Sequence, residues 1–190
     1  MKEYTIGYAL CGSFCTFRNS ISQIKKLIKN GFKIVPIMSF NAASTDTKFG
    51  KSSDFKQEIE DICNRKIICT IPDAEPIGPK KMVDVLAICP CTGNTLGKLC
   101  NAITDTPVIM AAKSHLRIQR PVVIALATND ALGASAQNIG KAINTKNIFF
   151  VPLKQDDPEN KPQSLVANFD LLEKTINMAM TNTQIQPLFL

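Results

Sequence analysis

"YTIGYALCGSFCTFRNSISQIKKLIKNGFKIVPIM", residues 4–38, is the stretch that decides the architecture. Its first seven residues, Tyr4–Leu10, form a short apolar run that ends in the small residues Cys11, Gly12 and Ser13. Between Asn19 and Asn30, Ile21, Ile24, Leu27 and Ile28 recur at the spacing of one helical face. Asn19 or Ser20 can cap the first free N–H groups of that helix. Gly31 stands where a helix C-terminus favours a residue able to take positive φ. Phe32–Met38 is the next apolar run, and Pro36 counts against a central position because it cannot donate to a neighbouring strand. Strand, glycine turn, helix and strand predict a βαβ unit with two parallel strands.

The pattern continues outward from there. Ser39–Ser53 is polar and irregular, and Asp54–Arg65 predicts a helix burying Phe55, Ile59 and Ile62. Ile67–Thr70 reads as a short strand, and residues 71–81, with three prolines, as a loop. Val83–Cys89 and Pro121–Ala127 are apolar throughout, as strands buried on both faces of a parallel sheet are. Helices are predicted over Thr92–Ile103, Asp105–Leu116 and Ala131–Ile143. Asn147–Val151 reads as the last strand and Ser164–Met180 as the last helix, capped by Ser164. The alternation gives an α/β, three-layer, doubly wound and mainly parallel sheet in a single domain, residues 1–190. In such sheets ligands sit beyond the carboxyl ends of the strands. Four segments should meet there: Cys11–Phe17, Ser39–Thr45, Pro90–Thr95 and Thr128–Gly133.

Composition narrows the function. The chain has 190 residues, 45% hydrophobic and 20% charged, which suits an ordinary globular protein. Tryptophan is absent and aromatics make up 6%, which argues against a stacking surface for carbohydrate or single-stranded nucleic acid. The net charge of +6 is spread over lysines in runs no longer than two, unlike the basic stripe of a nucleic-acid binder. It equally suits a small anionic substrate or an acidic partner. Residues 1–10 read as a strand and not as a secretory signal, and no apolar run approaches the ~20 residues of a membrane span. The expectation is a cytoplasmic protein with its seven cysteines reduced.

The four loops carry the candidate chemistry. Gly12, Ser13 and Phe14 open a turn before a helix, where exposed N–H groups favour a phosphate. One glycine is too few for a dinucleotide fingerprint, and no Walker lysine follows. Ser39 begins a hydroxyl-rich loop after the second strand. Pro90 ends the third strand, Gly93 lets the backbone approach a ligand, and Thr92, Asn94 and Thr95 can hydrogen-bond a heterocycle or an anion. Asn129 and Asp130 stand before a helix, where Asp130 is either its N-cap or a proton acceptor. His115 is the sole histidine. Cys11, Cys15, Cys89 and Cys91 fall at two strand ends, but their spacing fits no zinc or iron–sulfur pattern, so no metal is expected. Cys63, Cys69 and Cys100 read as core residues. Lys98, Lys113, Arg117, Lys154 and Lys161 are the cations that could pair with carboxylates.

"PCTGNTLGKLCNAITDTPVIMAAK", Pro90–Lys113, resembles the P-A-S-A-N-T-x-x-K-x-x-x-G-x-x-D stretch of the flavoprotein family that contains phosphopantothenoylcysteine decarboxylase, peptide-cysteine decarboxylases and flavin prenyltransferase. Pro90, Asn94, Thr95, Lys98 and Asp105 stand at matching places, as do Gly12–Ser13 and the hydroxyls after the second strand. The resemblance implies a flavodoxin-like core, a homo-oligomer (trimer or larger), and FMN contacts from Gly12, Ser13, Phe14, Ser39, Pro90, Thr92, Asn94 and Thr95. Residues 127–169, with the distinctive "VPLKQDDPENKPQSL", are similar to a sporulation branch of that family. This implies work beside an A subunit that carries NADP, oxidising dihydrodipicolinate to dipicolinate in the mother cell. Asn94, Lys98 and Asn129 would then bind substrate, and Asn129, Asp130 or His115 would assist the chemistry. An independent FMN enzyme and a non-catalytic binding or scaffold subunit are the alternatives. The decarboxylase histidine is missing from residues 70–81. Thr128 replaces the methionine of the P-x-M-N-x-x-M-W segment, and no tryptophan follows, so cysteine decarboxylation is not expected.

Overall fold

The computed structural model describes residues 4–190, so the first three residues of the expected opening strand lie outside the described residues. The predicted βαβ unit is present as β1 (Thr5–Leu10), α1 (Phe17–Lys29) and β2 (Lys33–Met38). Helix α1 buries Phe17, Ile21, Ile24 and Leu27, the face read from the spacing. It starts two residues before Asn19, with Thr16 at its N-cap, and Gly31 adopts φ +89° beyond its C-terminus. The chain continues through α2 (Phe40–Ser44), α3 (Ser52–Cys63), α4 (Ile71–Ala74), β3 (Val85–Cys91), α5 (Gly93–Cys100), α6 (Pro107–Arg117), β4 (Val122–Thr128) and α7 (Ala136–Ile143). It ends with β5 (Ile148–Phe150), β6 (Leu153–Lys154), β7 (Leu165–Ala167) and α8 (Leu172–Met180).

One sheet collects the strands in the order β2-β1-β3-β4, where β4 pairs with both β5 and β7, and β7 with β6. The first five strands run parallel, with Val85–Cys91 and Val122–Thr128 fully interior in order, as their unbroken apolar character requires. Helices α1 and α8 pack on one face, and α5, α6 and α7 on the other. Pro36 sits in β2, where the only further pairing among the described residues is a single bridge from Ile37 to Ile68. That bridge is all that forms of the strand expected at Ile67–Thr70. A buried hydroxyl chain ties the layers: Tyr8 Oη donates to the Ser20 carbonyl (3.0 Å), and Ser20 Oγ donates to the Cys89 carbonyl (2.6 Å).

Four expectations need correction. The Ser39–Ser53 segment contains α2, whose first turn is closed by Ser39 Oγ accepting from the Ala42 N–H (3.3 Å). Residues 71–81 begin with α4, because Thr70 accepts from the Asp73 N–H and Pro72 occupies a first-turn position where its missing N–H costs nothing. The helix expected from Ala131 starts at Ala136, since the Asp130 carbonyl accepts from the N–H groups of both Gly133 and Ser135 and closes a turn first. The fourth concerns the C-terminal third. Strand β5 pairs only with Val122–Ile124, which leaves Ala127 and Thr128 without a neighbour on that side. The β6–β7 hairpin fills the gap antiparallel, with Ala127 opposite Val166 and Thr128 opposite Leu165. Asn147–Val151 is therefore not the last strand, and the last helix starts at Leu172 rather than Ser164.

Candidate functional site

The order β2-β1-β3-β4-β5 reverses direction between β1 and β3. At such a switch point the connections leave toward opposite faces and open a crevice at the strand ends. The segment after β1 leads to α1 and the segment after β3 to α5, which pack on opposite faces. Gly12 and Thr92, the residues just beyond these strands, line both lobes of the crevice.

The first lobe has a volume of 310 Å³ and is walled by residues 12–16, Phe49, residues 127–129 and the hairpin residues Asp156, Lys161 and Ser164. The second has a volume of 380 Å³ and is walled by residues 39–41, Asn94, Thr95, Lys98, Asp105 and Thr106. A 520 Å³ groove between α1 and the hairpin shares Thr16, Asp156 and Val166 with the first lobe. The four loops expected to converge therefore supply most of both walls. Phe49, Asp156 and Thr106 were not singled out from the sequence, and Ser164 was read only as the cap of the last helix. The hairpin residues had a signal: turn formers between the short apolar runs at Val151–Leu153 and Leu165–Ala167 mark a hairpin with a long loop.

The floor of the crevice is held by hydrogen bonds among its own hydroxyls. Thr92 caps α5 by accepting from the Thr95 N–H (3.2 Å), and the two threonine hydroxyls lie 3.0 Å apart. Gly93 was read as a close approach to a ligand, but its neighbours are protein. A Cβ there would lie 2.7 Å from the Thr128 and Ser135 hydroxyls and 2.9 Å from the Asp130 carboxylate. Asp130 is not an N-cap. It accepts from Thr128 Oγ1 (2.5 Å) and Ser135 Oγ (3.0 Å) and so fixes the turn that packs on Gly93. By contrast Asn94 makes no side-chain hydrogen bond among the described residues and is exposed to the second lobe. Among the described residues, Asn129 only accepts a 3.4 Å contact from Ser164, and Ser13 Oγ has only the Cys15 sulfur at 3.9 Å. Pro90 lies in β3 and lines neither lobe.

Lys98 touches both oxygens of Asp105, at 2.9 and 2.7 Å. The family-matched lysine and aspartate are thus partners on the rim of the second lobe. His115 is placed away from the crevice, which corrects its candidacy. Thr106 at the N-cap of α6 lines the second lobe, and His115 follows nine residues later, roughly 13 Å along the helix. It is fully buried, and neither ring nitrogen has a partner among the described residues. Burial, and secondarily the Arg120 charge, push its pKa down to about 4.

Among the described residues no three His, Cys, Asp or Glu side chains are arranged to hold a metal. Cys11, Cys89 and Cys91 are buried, and burial raises Cys11 to about 11 and Cys89 to about 12, which keeps these thiols protonated. Cys15 is exposed on the wall of the first lobe. Among the described residues no helix is long and apolar enough to cross a membrane. Ala111 and Ala112 are buried within this chain's own core.

The comparisons with known proteins agree with this geometry. The Flavoprotein family model matches residues 1–168. The dipicolinate synthase B subunit of Bacillus subtilis (strain 168) is 46% identical over 188 residues, covering 99% of this chain and 94% of that protein. The crystal structure of the dipicolinate synthase B subunit from Bacillus halodurans is 42% identical with a TM-score of 0.90, over 98% of this chain and 96% of that one. A Burkholderia xenovorans protein solved with FMN, DmrB, shares the fold at 13% identity and a TM-score of 0.70, over 94% of this chain and 96% of its own. Match length and identity together leave one assignment: the chain belongs to the Flavoprotein family, beside the dipicolinate synthase B subunits.

Proposed function

We propose that this chain is the B subunit of a dipicolinate synthase. It acts with an A subunit to oxidise dihydrodipicolinate to dipicolinate in the mother-cell cytoplasm of a sporulating bacterium. The observation that carries the reading is the end-to-end similarity to two such proteins, with the crevice at the strand-order reversal intact. The reaction removes two hydrogens from a cyclic dicarboxylate, so a hydride acceptor and a base are required. This chain has no dinucleotide fingerprint of its own. The hydride acceptor is then NADP on the A subunit or FMN on this one.

The residues present fit FMN. Ser13 and Asn94 keep their polar atoms free of strong internal bonds among the described residues, and the two lobes meet at Gly12 and Thr92. The N–H groups of Gly12–Phe14 with Ser13 and Ser39 would hold the phosphate, and Thr92, Asn94 and Thr95 the rest of the molecule. When bound, FMN would supply a two-electron redox centre. Asn94 and Asn129 would orient substrate through their amides.

One observation favours a second reading, a subunit that binds and presents substrate without doing the chemistry. Asp130 is already engaged by two hydroxyls, and His115 is sealed in the core away from the crevice. Neither proton acceptor named from the sequence then stands ready at the lobes. Exposed Phe40 on the second lobe and exposed Ile103 support a homo-oligomer, and the family resemblance a trimeric or larger one, which light scattering would test.

The deciding experiment mixes purified A and B subunits with dihydrodipicolinate and NADP and follows dipicolinate by absorbance. The rate should rise when this chain is added, and equal rates with and without it would refute the assignment. A visible flavin spectrum and calorimetry with FMN separate the flavin reading from the presenting one.

A further inference from the structure

The crevice has several cations near it, and the structure distinguishes them. Lys98 is held by both oxygens of Asp105. Lys113 and Arg117 lie farther along α6 and line neither lobe, and Lys154 lines only the groove beyond. Lys161 is the one lysine among the described residues on the wall of the 310 Å³ lobe. Its sole ion pair among those residues is a loose 3.5 Å contact to Asp156, and its side chain is 49% exposed. A charge held so weakly remains available to a stronger anionic partner.

Its backbone, in contrast, is fixed. The Lys161 N–H donates to the Asp157 carbonyl (2.8 Å), and the Lys161 carbonyl accepts from the Ser164 N–H (3.0 Å). Ser164 Oγ then donates to the Thr128 carbonyl (3.3 Å), one residue before Asn129, and β7 pairs with the end of β4. The hairpin thus holds a loosely paired cation at a set place over the crevice. Phe49, 44% exposed, and Phe14 add flat apolar surface to the same lobe, and Asn129 adds neutral donors. An apolar wall, one cation and an amide match a small planar ring bearing two carboxylates. Ser39, Asn94 and Thr95 face the other lobe, so a ligand on Lys161 leaves that lobe free.

Resting on the function proposed above, we propose that Lys161, presented by the β6–β7 hairpin, pairs with a carboxylate of the cyclic dicarboxylate substrate and sets the preference for two carboxylates over one. Asp156, at 3.5 Å, is the carboxylate that competes for Lys161. A dianion outcompetes Asp156 for Lys161, whereas a neutral ring has nothing to offer it.

The test is calorimetry on the full chain, alone and with the A subunit, using pyridine-2,6-dicarboxylate, pyridine-2-carboxylate and pyridine as probes. The wild type should bind the dicarboxylate most tightly. Lys161→Met should weaken the dicarboxylate roughly ten- to a hundred-fold, the size of one charge-assisted bond, and reduce its advantage over the monocarboxylate. Lys161→Arg should restore most of the preference, and Lys141→Met, a lysine that lines neither lobe, should leave it unchanged. Matched melting temperatures show that the variants fold. Unchanged binding in Lys161→Met with a loss in Lys98→Met would overturn the assignment to Lys161 while leaving the functional reading intact. A wild type that binds none of the probes, with or without its partner, would remove both.

Discussion

The two ends of the sheet treat polar groups in opposite ways. At the carboxyl end, Ser13, Asn94 and Asn129 are left with weak or no partners among the described residues and face open cavities. At the amino end, Asp84 accepts from the Thr5 N–H (2.9 Å) and lies 3.6 Å from Arg120, which in turn donates to the Val83 carbonyl. His115 is sealed in the core there, with neither nitrogen partnered among the described residues. An unsatisfied polar group therefore means different things at the two ends. Open to a cavity it is a site for a ligand, and sealed in the core it is a stability cost. Perturbed titration by itself does not separate the cases, because the strongly perturbed imidazole of this chain lines neither lobe of the crevice.

Substitutions can break this contrast, and the largest effect is expected at the buried layer beneath α6. A Cβ at Gly78 would stand 2.0 Å from the Ser114 carbonyl oxygen, and that backbone cannot rotate away. Gly78→Ala should cost about 3 kcal/mol or more, read as a lowered urea midpoint. A loss under about 1 kcal/mol would show that this layer is softer than its packing implies.

Acid should act next, again at the closed end. The folded chain holds the His115 pKa near 4, below the ordinary 6.5, so the unfolded chain binds the extra proton between those values. Stability should be complete above about pH 6.5, fall as pH drops, and level off for this group below about pH 4, a loss of about 3 kcal/mol. His115→Leu should lack that part of the slope. The lowered carboxylates Asp46, Glu60 and Asp156 remain in both proteins and cancel in the difference. Parallel urea midpoints against pH for the two proteins would contradict the assignment.

At the open end, Gly93→Ala presses a Cβ onto three side-chain oxygens, which can move by rotation. A smaller loss of about 1–2 kcal/mol is expected, together with weaker ligand binding as the Thr128–Asp130 turn shifts. Ser13→Ala should change stability least, by under about 0.5 kcal/mol, since its hydroxyl has only a long contact to sulfur. If FMN uses the Gly12–Phe14 turn, the same variant should lose about 1.5–3 kcal/mol of flavin affinity, or roughly ten- to a hundred-fold by calorimetry. Unaltered affinity would move the phosphate elsewhere.

The sequence by itself determined the parallel core and the position of the crevice. Period-3.6 and all-apolar runs report burial directly, so α1, β3 and β4 were legible to within a few residues. The convergence of the four loops followed, because a doubly wound sheet puts every βα turn at one end. Only the tertiary structure decided which polar residues in those loops are free. Gly93 read as an approach to a ligand and Asp130 as an N-cap or proton acceptor, yet each is used to pack one loop on another. The β6–β7 hairpin was missed because Leu153–Lys154 and Leu165–Ala167 are two and three residues long, too short for periodicity, which left the turn formers between them as its signal. What makes them strands is the unpaired end of β4 beyond β5, a vacancy that exists only once the sheet has formed. His115 shows the same limit: its place in the helix could be read from the sequence, but the side of the sheet it ends on depends on where α6 runs after Thr106.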